Sequence, residues 1–196
     1  MTAEHAVRAL LLEDSEADAE LIQAELSRAG LRLETRRVDT RDAFQGALAR
    51  FEPDLVLSDH SLGQFRALDA LEIVDEFRPA TAFIVVTGAL DEAAMVACLK
   101  RGADDYVLKH HLHRLVPAVS AALDRRRRLR ALSPRQVGVL RSMAEGLSTR
   151  EMAERWGISI KTVETHRAEL MRRLGIHDVG SLVRYAVAVR LVRPRP

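Results

Sequence analysis

Apolar, β-prone runs punctuate the first 110 residues, and each ends on a polar or charged station. Ala9-Leu10-Leu11-Leu12 runs into Glu13-Asp14, Leu55-Val56-Leu57-Ser58 into Asp59, Phe83-Ile84-Val85-Val86 into Thr87, and Tyr106-Val107-Leu108 into Lys109. Runs this continuous, separated by stretches of helical period, predict parallel strands buried on both faces. The pattern gives strands over 7–12, 32–38, 54–58, 82–86 and 105–108, alternating with helices over 16–29, 41–50, 67–77, 92–101 and 112–130. The punctuation agrees. Thr40 and Asp91 suit N-caps, Gly30 and Gly102 suit left-handed helix ends, and the third helix must stop before Pro79. Five successive βα units predict an α/β fold, a doubly wound five-stranded parallel sheet with right-handed crossovers. In one sheet, Glu13, Asp14, Asp59, Thr87 and Lys109 all leave from the carboxyl edge, where open α/β sheets hold ligands.

The pattern changes after Leu123. Leu112, Leu115, Val116, Val119 and Leu123 keep one helix face. The run Arg125-Arg126-Arg127-Arg128-Leu129-Arg130 then breaks it. This predicts a first domain over 1–124 and a basic, helical linker over 125–132, stiff because no Gly/Ser tether is present. A second, all-α domain follows over 133–196. Ser133-Pro134-Arg135-Gln136 and Ser148-Thr149-Arg150-Glu151 are capping boxes, the first with proline opening the helix. Ser159 and Asp178 suit two more N-caps, and Gly146, Gly157 and Gly175 end the helices between. Four helices with a tight turn at Gly157 make a helix-turn-helix plan.

Charge sharpens the division. The net charge of +2 hides 13 Lys and Arg against 22 Asp and Glu in residues 1–124, and 17 against 6 in 125–196. An acidic front and a basic back suit a metal-dependent phosphate site joined to a nucleic-acid binder. No apolar stretch approaches the roughly 20 residues of a membrane span, and no leader pattern opens the chain. The expectation is a cytoplasmic protein without a membrane partner. Cys98, the sole cysteine, excludes an intrachain disulfide and sits among apolar residues as a small core side chain. His110-His111-Leu112-His113 lacks a soft fourth ligand, so no structural zinc is expected.

Three carboxylates meeting a hydroxyl and an ammonium describe a phosphoryl-transfer pocket that calls for a metal ion. Together, Glu13-Asp14, Pro53-Asp54-Leu55-Val56-Leu57-Ser58-Asp59, Val85-Val86-Thr87-Gly88 and Gly102-Ala103-Asp104-Asp105-Tyr106-Val107-Leu108-Lys109 resemble the receiver domain of bacterial two-component response regulators over residues 5–124. Residues 132–192 resemble the helix-turn-helix output domain of the NarL/LuxR type. The resemblance implies strand order 2-1-3-4-5 and Asp59 as phosphoacceptor. It implies Mg²⁺ held directly by Asp14 and Asp59, through a water by Glu13, and by the backbone carbonyl of Ser61. Lys109 would then ion-pair with Asp59 or the phosphoryl oxygens, and Thr87 would hydrogen-bond the phosphoryl group. Thr87 and Tyr106 would form the coupling pair of the switch. Three positions depart from the family pattern. Glu13 replaces the commoner aspartate, Gly63 stands where proline often follows and predicts a looser acceptor loop, and His110 follows Lys109 where proline is usual, so a trans bond is expected there. A chain that carries its own phosphoacceptor is a substrate of phosphotransfer more than an enzyme.

Ser159–Leu174 reads as an amphipathic helix, with Val163, Leu170 and Leu174 on one stripe and Lys161, Glu164, Thr165, Ala168 and Arg172 on the other. Short residues between cations suit a major groove. Resemblance makes it the recognition helix. Glu164, Thr165 and Ala168 are the candidates for base edges, Lys161, His166 and Arg172 for phosphates, and Thr149 and Arg150 for phosphate at the preceding helix's amino end. Trp156 reads as a core residue. The arginine run is open to two readings, contact with DNA or rest against the acidic front. The resulting expectation is a transcription regulator switched by phosphorylation from a sensor histidine kinase, reading double-stranded promoter DNA as a homodimer when active. The rival is a signalling module acting mainly through protein–protein contacts.

Overall fold

The computed structural model describes residues 6–89 and 91–192. In chain order its first part runs β1 (Val7–Leu12), α1 (Glu16–Arg28), β2 (Leu33–Val38), α2 (Arg41–Phe51), β3 (Leu55–Ser58), β4 (Ser61–Leu62), β5 (Phe65–Arg66), α3 (Ala67–Phe77), β6 (Ala82–Thr87), α4 (Glu92–Arg101), β7 (Asp105–Leu108), a 3-10 segment Lys109–Arg114 and α5 (Leu115–Arg130). Five strands pair in parallel in the order β2-β1-β3-β6-β7. This is the doubly wound α/β sheet that the alternation predicts.

The continuous apolar runs still carry the two-residue period of a strand. Leu10, Leu12, Val56, Phe83 and Val85 face one core, shared with Phe44 and Leu48 of α2, Leu71 and Val74 of α3, and Cys98 of α4. Ala9, Leu11, Leu55, Leu57, Ile84 and Val86 face the other, with Ala19, Ile22 and Leu26 of α1 and Leu115, Val119 and Ala122 of α5. Fully burying one such Leu, Ile or Val side chain contributes about 1.5–3 kcal/mol, so a slip of one residue in any inner strand would be prohibitive. Thr40 and Asp91 cap α2 and α4 as expected, accepting from Ala43 N and Ala94 N.

Two local features differ from the sequence expectation. The helix placed over 112–130 begins at Leu115, after a 3-10 segment in which His111 leaves helical backbone geometry (φ −124°, ψ 40°). Pro117 then falls in the first turn of α5, where a missing N–H costs nothing. The loop after Asp59 is also not slack. It folds into the β4–β5 hairpin, which turns through Gly63 at φ +62°, a conformation that favours glycine. Among the described residues no peptide bond is cis, and no helix is long and apolar enough to cross a membrane.

Residues up to Asp124 form one compact unit and those from Arg125 a second. The second continues with α6 (Pro134–Ala144), α7 (Thr149–Trp156), α8 (Ile160–Leu174) and α9 (Val179–Ala188). Ser133, Ser148, Ser159 and Asp178 each accept from the amide three residues on, worth about 1 kcal/mol apiece. Gly157 and Gly175 close α7 and α8 in the left-handed region. The core gathers Leu132, Val139, Leu140, Met152, Val163, Leu170, Leu174, Leu182 and Ala186, with Trp156 packed against it.

Candidate functional site: an acidic pocket and an exposed helix face

Backbone pairing sets the acidic pocket. The ladders run one residue past the strands, with Glu13 N donating to Val38 O at 3.0 Å and Asp59 N to Leu12 O at 2.8 Å. Both carboxylates are therefore fixed at the carboxyl edge. Arg37 clamps the turn after β1, donating to the carbonyls of Glu13 and Asp14. Ser15 caps α1, accepting from Asp18 N, while its own amide donates to Glu13 Oε1 at 3.1 Å. His60 N donates to Asp59 Oδ1, which orients the acceptor side chain.

Glu13, Asp14 and Asp59 bring carboxylate oxygens within 4.8 Å of one another. An all-oxygen set, one member exposed to solvent, fits a hard divalent cation that keeps several of its waters. Lys109 reaches the same place from the end of β7. Its Nζ lies 2.9 Å from Asp59 Oδ2, 2.8 Å from Glu13 Oε2 and 2.6 Å from Asp18 Oδ2. Glu13 is 2% exposed. Burial pushes its carboxyl above the usual range, against the pull of Lys109 and of the Ser15 amide. Burial would lower Lys109, but its hydrogen bonds to Asp18, Glu13 and Asp59 outweigh that and hold the ammonium above its ordinary value. The two partners thus shift in a consistent way: the cation is fixed in its charged form, and the innermost acid carries the desolvation cost.

Thr87 ends β6 beside this pocket, buried, with Oγ1 accepting from Ala89 N at 3.4 Å. Tyr106 lies in β7 with its ring inside the core shared by α3 and α4. Among the described residues, its hydroxyl is buried without a partner in hydrogen-bond geometry. Burial pushes the phenol up, and nearby Thr87 draws it partly back. Ser61 begins β4 two residues after Asp59. The structure thus brings Glu13, Asp14, Asp59 and Lys109 together, with Thr87 at the adjoining strand end.

On α8 the buried stripe is Val163, Leu170 and Leu174. Lys161, Glu164, Thr165, Ala168 and Arg172 are all exposed, and His166 is half-buried. The Thr165 hydroxyl donates to the carbonyl of Lys161 at 3.0 Å. Thr149 is engaged within the fold, accepting from Arg167 Nη1 at 2.5 Å and so bracing α7 against α8. Arg150 is exposed and pairs with Glu154 one turn on. Trp156 stacks under the Arg135 guanidinium at 5.3 Å.

Sequence reasoning missed two residues. Asp18 in the first turn of α1 reads as an ordinary helix-dipole acid; its meeting with Lys109 spans 91 positions. Arg126 belongs to the run read as contacting DNA or the acidic front, yet it is 1% exposed and donates to Val189 O at 2.5 Å. A slot in register with Leu115, Val119 and Ala122 along α5 was the available signal. For this residue, neither reading of the arginine run describes its place.

Comparison with known proteins agrees with both halves. Residues 9–120 match the model of the response regulator receiver domain, and residues 130–186 match that of the luxR family of bacterial regulatory proteins. The oxygen regulatory protein NreC of Staphylococcus carnosus is 27% identical over 184 residues, covering 79% of this chain and 84% of that protein. Among solved structures, full-length FixJ from B. japonicum is 23% identical, covers 95% of this chain and 98% of its own, and superposes with a TM-score of 0.50. RcsB from Salmonella enterica serovar Typhimurium, solved bound to promoter rprA, is 22% identical over 91% of this chain and 98% of its own, with a TM-score of 0.53. These two share the fold. The chain belongs to the response regulators, a receiver domain followed by a luxR-type regulatory domain.

Proposed function

We propose that the protein is a transcription regulator switched by phosphorylation of Asp59. The observation that carries this reading is the meeting of Lys109 with Asp59 beside the Glu13–Asp14–Asp59 cluster at the sheet's carboxyl edge. A sensor histidine kinase is the expected donor. An Asp59 carboxylate oxygen forms the new bond to phosphorus while the donor's N–P bond breaks, its electron pair returning to the imidazole. Asp14 and Asp59 would hold Mg²⁺ directly, Glu13 through a water, and the Ser61 carbonyl would complete the protein's share. Bound there, the cation would offset repulsion between carboxylate and donor. Lys109 places its ammonium against the developing phosphoryl charge. The Thr87 hydroxyl donates to a phosphoryl oxygen, and Tyr106 follows Thr87 to relay the change through β7 and α4.

The output is double-stranded promoter DNA in the cytoplasm, read by α8 of a homodimer on two half-sites. Glu164, Thr165 and Ala168 face base edges. Lys161, His166 and Arg172 face phosphates, joined by Thr149 and Arg150 at the amino end of α7. Incubation with acetyl phosphate and Mg²⁺ should place one acyl phosphate on Asp59. Asp59→Asn should abolish it, and Asp14→Ala should remove most of it. Phosphorylation should also tighten sequence-selective, salt-dependent binding to promoter fragments. Undiminished phosphorylation of Asp59→Asn would overturn the acceptor. Only nonselective DNA binding, with or without phosphate, would favour a module that signals through protein contacts.

A further inference from the structure

Lys109 faces one more carboxylate than the phosphate chemistry uses. Asp18 brings Oδ2 to 2.6 Å from Nζ, the shortest of the lysine's three ion pairs. An ammonium has three N–H donors, and three carboxylates stand against it. Glu13 and Asp59 belong to the cluster able to hold a cation, whereas Asp18 does not. A cation held by the cluster would draw on Glu13 and Asp59, so among the described residues Asp18 is the partner left to the lysine alone. Its position is well determined. Its own amide donates to the capping Ser15, which sets the first turn of α1, and Ser15 in turn donates to Glu13.

We propose that Asp18 is a positioning residue for Lys109, anchoring the ammonium beside Asp59 so that it is in place when a phosphoryl group arrives. This rests on Asp59 being the phosphoacceptor. A lysine on a flexible four-carbon stem must otherwise be ordered at each transfer, at a cost in rotamer entropy. A fixed donor avoids that reorganisation. Asp18 takes no part in the bond changes: it neither accepts the phosphoryl group nor exchanges a proton. The ordinary role of an acid in a first helical turn is to meet the helix dipole. That role alone would touch helix stability and leave the lysine free to move.

The full-length protein separates these alternatives. With acetyl phosphate and Mg²⁺, Asp18→Asn should be phosphorylated about tenfold more slowly than wild type, the equivalent of one lost charge-assisted hydrogen bond. Asp18→Glu should recover most of the rate. In metal-free protein the nitrogen–proton resonance of the Lys109 ammonium should be sharp in wild type and Asp18→Glu, and broadened by exchange in Asp18→Asn. A change in helix stability would not move that signal. An unchanged rate in Asp18→Asn overturns the proposal, as does a slower rate with the Lys109 resonance intact. Absence of any acyl phosphate on wild type overturns the parent reading and this one with it, a result distinct from a defect confined to the Asp18 variants.

Discussion

Lys109 carries its ammonium to 2.9 Å from Oδ2 of Asp59 across 50 residues of sequence. The same group offsets the charge of Glu13, which has almost no water to do so. A cation held by the Glu13–Asp14–Asp59 cluster would therefore compete with the lysine for the same acids.

Lys109→Met should expose that competition. Removing one partner of a buried ion pair costs about 3–5 kcal/mol, and partial solvation of Lys109 and Asp59 brings the expected loss to roughly 1–3 kcal/mol. The unfolding midpoint of the metal-free protein should fall, and millimolar Mg²⁺ should raise it further in the variant than in wild type. Calorimetry with and without Mg²⁺ reads both. An equal Mg²⁺ response would mean that lysine and cation do not share ligands.

Tyr106 offers a test of packing. Its hydroxyl is buried beside Thr87 and, among the described residues, meets no partner in good hydrogen-bond geometry, while its ring fills the core. Tyr106→Phe should leave stability unchanged or raise it by up to about 1 kcal/mol. Tyr106→Ala should cost roughly 3–5 kcal/mol through the cavity it opens. Urea unfolding distinguishes them. A loss of more than about 1 kcal/mol in the phenylalanine variant would reveal a bond to that hydroxyl.

Tyr185 gives the second unit an alkaline limit. Burial raises its phenol from 10.0 to about 12, although Arg128, Arg126 and Arg125 pull it down. The folded state keeps a proton that the unfolded chain releases. The stabilisation is complete below pH 10 and is lost as pH rises through about 12. The hydroxyl also donates to Arg125 O at 2.8 Å. Tyr185→Phe should cost about 1 kcal/mol near neutrality and flatten the alkaline decline. Parallel declines in the two proteins would sink the assignment.

On α8, two kinds of contact should separate. Lys161→Ala should weaken binding to all sequences alike and lower the salt slope by about 1. Thr165 spends its proton on Lys161 O, so it can offer a base only lone pairs or a methyl. Thr165→Ala should change the preferred base at one position per half-site by roughly 1–3 kcal/mol at most. Binding-site selection on wild type and both variants decides. An unaltered motif from Thr165→Ala would mean that the reading register is wrong.

The legible parts of this chain were those written in neighbouring residues. Four apolar runs marked the three inner strands and the edge strand β7, and Thr40, Asp91, Ser133, Ser148, Ser159 and Asp178 marked helix starts, because a cap and its amide lie three residues apart. The other edge strand, β2, was legible too, though its pattern is the weakest. Glu13, Asp14, Asp59 and Lys109 could be gathered in advance, since parallel pairing sends every strand end to one edge. Asp18 could not, because its partner is chosen by how α1 lies against the 3-10 segment that Lys109 opens. The start of α5 was misplaced because apolar spacing continued through Leu112 while the backbone did not. Arg126 was hidden by its charge, which predicts solvent wherever the fold supplies no carbonyl.

The burial of Arg126 bears on how such proteins can be cut and rejoined. Arg126 reaches Val189 O, Arg125 O receives Tyr185, and Ala131 O receives Arg173. A fragment beginning at Ser133 would lack all three and should come out of the cell poorly folded, whereas one beginning at Arg125 would keep them. We place the seam at 124/125, inside α5 rather than after it. Grafts that exchange the receiver should therefore carry the arginine run with the output half. In a lineage that shuffles its sensors, those arginines would be inherited with the luxR-type domain.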